Sequence, residues 1–247
     1  MGAGSLEYNV VCVKWGDKFS PEHVNRLYRM AKKNISLPFN FYCWTENTTG
    51  LYDEINVVPL DDTLDLKAWW WKLTLFKGNN FKGINLYLDL DVVIQKNIDN
   101  LFKEAVHNKL TLIDRSDENI LENSIDREFN NKITTAMYNS SIMVWYNNEN
   151  VDLYNKFVSN INLYTNLYLG IDRFFTYEIL NSKFVGLNEK YYYWRIQVSD
   201  ASYKYINIKT TTGSEDRAIF FNKNKSICVF NGCHEDVFYQ NMEEFLL

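Results

Sequence analysis

Apolar residues in the first half of the chain gather in short runs, separated by polar turns and amphipathic stretches. Residues 8–15 form a compact apolar run, which predicts a first strand near the centre of a sheet. A polar turn at 17–20 leads to Ser20-Pro21-Glu22-His23, a helix start with Ser at the N-cap and Pro behind it. That helix is expected to end near Lys33. Two more strands are expected at 39–45 and 56–60, the first closing in the loop Thr45-Glu46-Asn47-Thr48-Thr49-Gly50. Residues 67–76, with Trp69, Trp70 and Trp71 in a row, predict a helix. A strand at 86–94, a helix at 100–106 and a strand at 110–114 follow. Residues 117–132 are polar and poorly patterned, and read as a loop with a helical piece. A strand at 137–145 and helices at 151–161 and 172–180 complete the pattern. Strand alternating with helix predicts an α/β fold with a largely parallel sheet.

The 247 residues suffice for one large domain, and no linker, repeat or low-complexity tract divides them. The expectation is one domain over 6–247. Residues 1–5 lack an apolar stretch, so they read as a non-native remnant and not as a signal peptide. No run approaches the length of a transmembrane helix. The net charge of −5 and the lack of a basic patch argue against nucleic-acid binding. Cys12, Cys43, Cys228 and Cys233 lack zinc-site spacing, and the first two sit in strand-like apolar runs. Free thiols of this kind suggest a reducing, cytoplasmic setting.

The most informative segment is Leu86-Tyr87-Leu88-Asp89-Leu90-Asp91-Val92-Val93-Ile94. Leu, Val and Ile flank two aspartates on both sides, which marks a buried strand. Buried carboxylates cost several kcal/mol each unless something pairs them. A divalent cation is a suitable partner, because hard cations take carboxylate oxygen. Two Asp one residue apart on a strand share a face, so one can chelate a metal while the other acts nearby. Ligands of open α/β sheets bind beyond the carboxyl ends of the strands. That draws attention to Val13-Lys14-Trp15 and to Thr45-Glu46, which end the first two strands. Lys72, set among apolar residues, must lead its ammonium to water or to an anion.

The segment resembles the Asp-x-Asp signature of nucleotide-sugar glycosyltransferases with the GT-A fold, in the branch that includes glycogenin and the lipopolysaccharide galactosyltransferases. Trp69-Trp70-Trp71-Lys72-Leu73 is similar to that family's "Trp-Trp-x-Lys-Leu" helix. Tyr138-Asn139-Ser140-Ser141-Ile142-Met143 is similar to its "Phe-Asn-Ser-Gly-Val-Met" strand, with Ser141 in place of glycine. Gly170-Ile171-Asp172-Arg173 stands where relatives carry "Gly-Asp-Gln", and Trp44-Thr45-Glu46-Asn47 where they carry "Phe-Thr-Asp-Asp". Ser202-Tyr203-Lys204 matches "Ser-Tyr-Lys". Phe230-Asn231-Gly232 stands where they carry "Phe-His-Gly", with His234 close behind.

The resemblance implies a single-domain, Rossmann-like GT-A fold with a mostly parallel central sheet flanked by helices, its nucleotide-binding half at 6–94 and its acceptor half at 95–247. It implies Mn²⁺ (or Mg²⁺) held by Asp89 and Asp91, with His234 or Asn231 completing the shell. It implies a UDP-sugar contacted by Val13, Lys14, Trp15, Thr45, Glu46, Lys72, Asp89, Asn139, Ser140 and Lys204. Asp172, with Asp91, would be catalytic, as general base or sugar-orienting carboxylate; the other reading of Asp172 is a helix cap. The implied reaction is transfer of a hexose to a saccharide or other hydroxyl acceptor. Two other readings stay open: a non-catalytic nucleotide-sugar-binding protein, and a different metal-dependent nucleotidyl or phosphoryl transferase.

Overall fold

A computed structural model describes residues 6–78, 80–116, 128–129, 131–187, 192–194, 203–210, 213–220 and 225–229. The chain begins with strand β1 (Tyr8–Lys14), helix α1 (Pro21–Asn34), β2 (Asn40–Thr45) and β3 (Asn56–Pro59). A 3-10 helix (Ala68–Phe76) leads to β4 (Ile84–Leu88) and β5 (Val92–Ile94). A second 3-10 helix (Asp99–Glu104) precedes β6 (Leu110–Asp114), the short β7 (Glu128–Phe129) and β8 (Lys132–Ile133), and β9 (Tyr138–Tyr146). Helices α2 (Val151–Val158), α3 (Ile161–Leu167) and α4 (Ile171–Glu178) follow. After them come β10 (Phe184–Gly186), β11 (Tyr192–Trp194), β12 (Tyr203–Thr210), β13 (Gly213–Phe220) and β14 (Ile227–Val229).

The main sheet has seven strands in the order β10-β6-β9-β4-β1-β2-β3. Strands β1 to β4 run parallel, as do β6 and β10, while β9 is antiparallel to both neighbours, β4 and β6. This is the expected α/β fold with a mostly parallel sheet, modified by one reversed strand. Alternation along the strands divides the core into two layers. Val10, Cys12, Leu86 and Leu88 face α1, where Val24, Leu27 and Ala31 are fully buried. Val11, Tyr87 and Met143 face the other side, where Trp70, Trp71, Phe157, Phe174 and Phe175 pack. That aromatic layer absorbs much of the chain's ring content: Trp70 stacks on Phe157 at 5.2 Å and 8°.

Four of the expected elements differ in the structure. The run 86–94 is not one strand. β4 ends at Leu88, and Val92 N donates to Asp89 O (3.2 Å), closing a turn through Leu90 and Asp91. β5 then leaves the main sheet and pairs antiparallel with β14, about 130 residues on, in a three-stranded sheet with β11. Both halves of the run are buried in different sheets, so its hydrophobicity hides the break. The 67–76 helix is a 3-10 helix, and so is the short helix that begins at Asp99. The single helix expected at 151–161 is two, because Asn160 caps α3 by accepting from Leu163 N (3.3 Å). Cys12 and Cys43 are free and buried, paired across β1 and β2. Among the described residues no helix is long and apolar enough to cross a membrane.

Candidate active site

The carboxyl ends of β1, β2 and β4 and the amino end of the reversed β9 meet on one edge of the sheet. The turn after β4 presents Asp89 and Asp91, which therefore lie at a chain reversal and not on one face of a continuous strand. Asp89 is held on three sides. Its backbone N donates to Ser141 O (2.9 Å), the Tyr87 hydroxyl donates to Oδ1 (2.5 Å), and the Lys72 ammonium lies 2.8 and 2.9 Å from Oδ1 and Oδ2. Lys72 also sits over the Tyr87 ring at 5.2 Å. The anion that this lysine meets in the protein itself is thus Asp89. Tyr87 was not singled out in the sequence, although its spacing of two from Asp89 could have signalled it. Burial, then the Asp89 charge, pushes the Tyr87 phenol well above its ordinary pKa, so it stays a proton donor.

Asp91 is 8% exposed, and its Oδ1 has no hydrogen-bond partner among the described residues. Burial, and next the neighbouring Asp89 charge, raise its carboxyl to about 7; Lys72 and Lys18 offset part of this. A carboxyl so poorly compensated gains from any cation brought to it.

Lys72 also connects the aspartates to the second half of the site. Its ammonium lies 3.2 Å from Ser140 Oγ, and that hydroxyl donates to Asp172 Oδ1 (2.6 Å). Ser140 N donates to the same oxygen (3.0 Å) and Asn139 Nδ2 to Oδ2 (3.3 Å). Asp172 lies in the first turn of α4, but the N-cap is Gly170, so its carboxylate reaches out to β9 instead of capping the helix. Arg173 beside it donates from Nε to Thr134 O (2.6 Å). One chain of contacts therefore links Tyr87, Asp89, Lys72, Ser140, Asn139 and Asp172, residues drawn from four elements.

At the neighbouring tips, Glu46 Oε1 accepts from Gly16 N (2.6 Å), tying the β1 and β2 ends together. Lys14 is 4% exposed, and its ammonium donates to Gly16 O (3.1 Å). Thr45 Oγ1 closes its own turn by accepting from Asn47 N (3.1 Å), while Val13 and Trp15 are half-buried. Lys204 lies in β12, which among the described residues pairs with β13 in a separate two-stranded sheet. His234 and Asn231 fall outside the described residues. Among those described, no three His, Cys, Asp or Glu side chains gather as a metal cluster.

No protein-family model matches the sequence, and no curated protein matches it. Solved structures do resemble the fold. Galactosyltransferase LgtC, solved with donor and acceptor sugar analogues, shares 13% identity over 96% of this chain and 93% of its own, at a TM-score of 0.57. The bifunctional glycosyltransferase WbbM shares 9% over 95% of this chain and 47% of its own, at 0.58. Mouse xyloside xylosyltransferase 1 shares 14% over 78% of this chain and 89% of its own, at 0.50. At these identities the likeness establishes the architecture: the chain has the GT-A fold of these glycosyltransferases.

Proposed function

We propose that this chain is a metal-dependent glycosyltransferase that moves a hexose from a UDP-sugar to a hydroxyl of a saccharide or other acceptor. The observation that supports this most is the convergence of Asp89, Asp91, Lys72, Ser140 and Asp172 at the carboxyl edge of a GT-A sheet. The residues fit a hard divalent ion such as Mn²⁺. Asp89 and Asp91 offer carboxylate oxygens, and Asp91 Oδ1 is buried without a hydrogen-bond partner among the described residues. When bound, that ion would neutralise the diphosphate on which charge develops as the glycosidic bond breaks.

The remaining roles belong to the chain itself. Val13, Lys14, Trp15, Thr45 and Glu46 line the β1 and β2 tips, where a base and ribose would lie. Lys72 supplies positive charge between the aspartates and the sugar side. Asn139 and Ser140 hold Asp172 through three hydrogen bonds. So fixed, Asp172 would orient the transferred sugar or accept the acceptor's proton. Lys204 would contact phosphate, and His234 or Asn231 would complete the metal shell.

Melting curves test the reading. A ligand that binds only the folded state stabilises it by about 2.7 kcal/mol at a hundredfold excess over Kd. UDP with Mn²⁺ should raise the melting point, and UDP with EDTA much less. Equal shifts in both conditions would remove the metal from the account.

A further inference from the structure

Of the three consecutive tryptophans, Trp70 and Trp71 are buried in the aromatic layer, whereas Trp69 is 40% exposed. Its position is fixed from two sides. Ala68, just before it, holds the left-handed φ of +50°, unusual for a residue with a side chain. Gly170 lies against its ring, also with a left-handed φ (+104°), and a Cβ there would collide with Trp69 Nε1. At Ala68 such a conformation persists only where the surroundings enforce it; glycine adopts it readily, and at Gly170 the missing Cβ leaves the space that the indole fills.

The ring also lies beside the site. In a 3-10 helix, side chains three apart eclipse, which puts Trp69 on the same side as Lys72. Lys72 reaches Asp89 and Ser140. Gly170, under the indole edge, is the N-cap of α4 and stands two residues before Asp172. An exposed indole on the same side of the helix as Lys72, packed on Gly170 two residues before Asp172, has the chemistry to take the apolar C–H face of a pyranose, leaving the sugar hydroxyls to polar neighbours.

We propose that Trp69 is the platform on which a pyranose ring of the acceptor stacks beside Asp172. The inference rests on the glycosyltransferase reading for the word acceptor, but not for ring binding itself. The test uses wild type, Trp69→Phe and Trp69→Leu, with methyl β-D-galactopyranoside and methyl β-D-glucopyranoside as probes. Binding is followed by saturation-transfer NMR with and without UDP and Mn²⁺.

Wild type should transfer saturation to the ring C–H protons of at least one glycoside. Trp69→Phe should keep that binding within about threefold, and Trp69→Leu should weaken it about tenfold, the scale of a lost aromatic contact. The Kd for UDP with Mn²⁺ should move less than twofold in both variants. Equal glycoside binding by Leu and wild type, binding of neither glycoside, or a weakened UDP Kd with unchanged glycoside binding would each overturn the proposal. Trp69-dependent glycoside binding by a protein that turns over no UDP-hexose would leave the platform standing and defeat the transferase reading.

Discussion

Replacing Asp91 by Asn should make the metal-free protein more stable above neutral pH. In the folded chain the carboxyl is raised from 3.8 to about 7, chiefly by burial and then by the Asp89 charge. The unfolded chain loses this proton near pH 4, and the folded chain keeps it until about 7. The group's contribution to stability is therefore complete below about pH 4 and is lost as pH rises through about 7. At 1.36 kcal/mol per tenfold change in proton affinity, the loss is on the order of 4 kcal/mol. Asn has the same shape and does not titrate. With EDTA present, the variant and wild type should therefore differ little at pH 4 and by several kcal/mol in the variant's favour at pH 8. For a chain of this length that is on the order of 10 °C in Tm. Urea unfolding and melting curves at both pH values measure it, and Mn²⁺ at pH 8 should stabilise wild type while leaving the variant nearly unmoved. An Asp91→Asn protein less stable than wild type at pH 8 in EDTA would refute the reasoning, because burial would then not be penalising the charge.

Lys72→Met removes the cation from a pair whose side chains are 10% and 22% exposed, and should cost about 3 kcal/mol in urea unfolding; Asp89→Asn added to it should recover part of the loss, and a neutral single variant would contradict the pairing. Gly170→Ala must place a Cβ against the Trp69 indole at a left-handed φ, so it should destabilise by about 1–3 kcal/mol by Tm; unchanged stability would show that the ring is not held there. If His234 completes the metal shell, His234→Ala should raise the Mn²⁺ concentration needed for UDP release, leaving the metal-free Tm unchanged; an effect from Asn231→Ala alone would assign the role to Asn231.

The succession of strands and helices through the first half of the chain was legible from short-range pattern. The runs at β1, β2, β3 and β6 are bounded by polar turns, and aspartates among Leu and Val demand a partner wherever the chain puts them. The partnerships were not legible, because they depend on distance along the chain. Nothing local to Lys72 says that its ammonium meets Asp89 seventeen residues later, nor that Ser140 Oγ joins it to Asp172. The break inside 86–94 was hidden for the same reason, since β5 is buried by pairing with the distant β14. The direction of β9 could not be read either, because an apolar strand buried on both faces has the same pattern whichever way it runs.

The most direct test of the central claim is UDP release from UDP-galactose, UDP-glucose and UDP-N-acetylglucosamine, with Mn²⁺ or with EDTA, by wild type and by Asp91→Asn. The account predicts release from at least one donor that requires Mn²⁺ and falls roughly a hundredfold in the variant, the scale of one lost electrostatic group. Release that is equal in EDTA, or undiminished in Asp91→Asn, would contradict it.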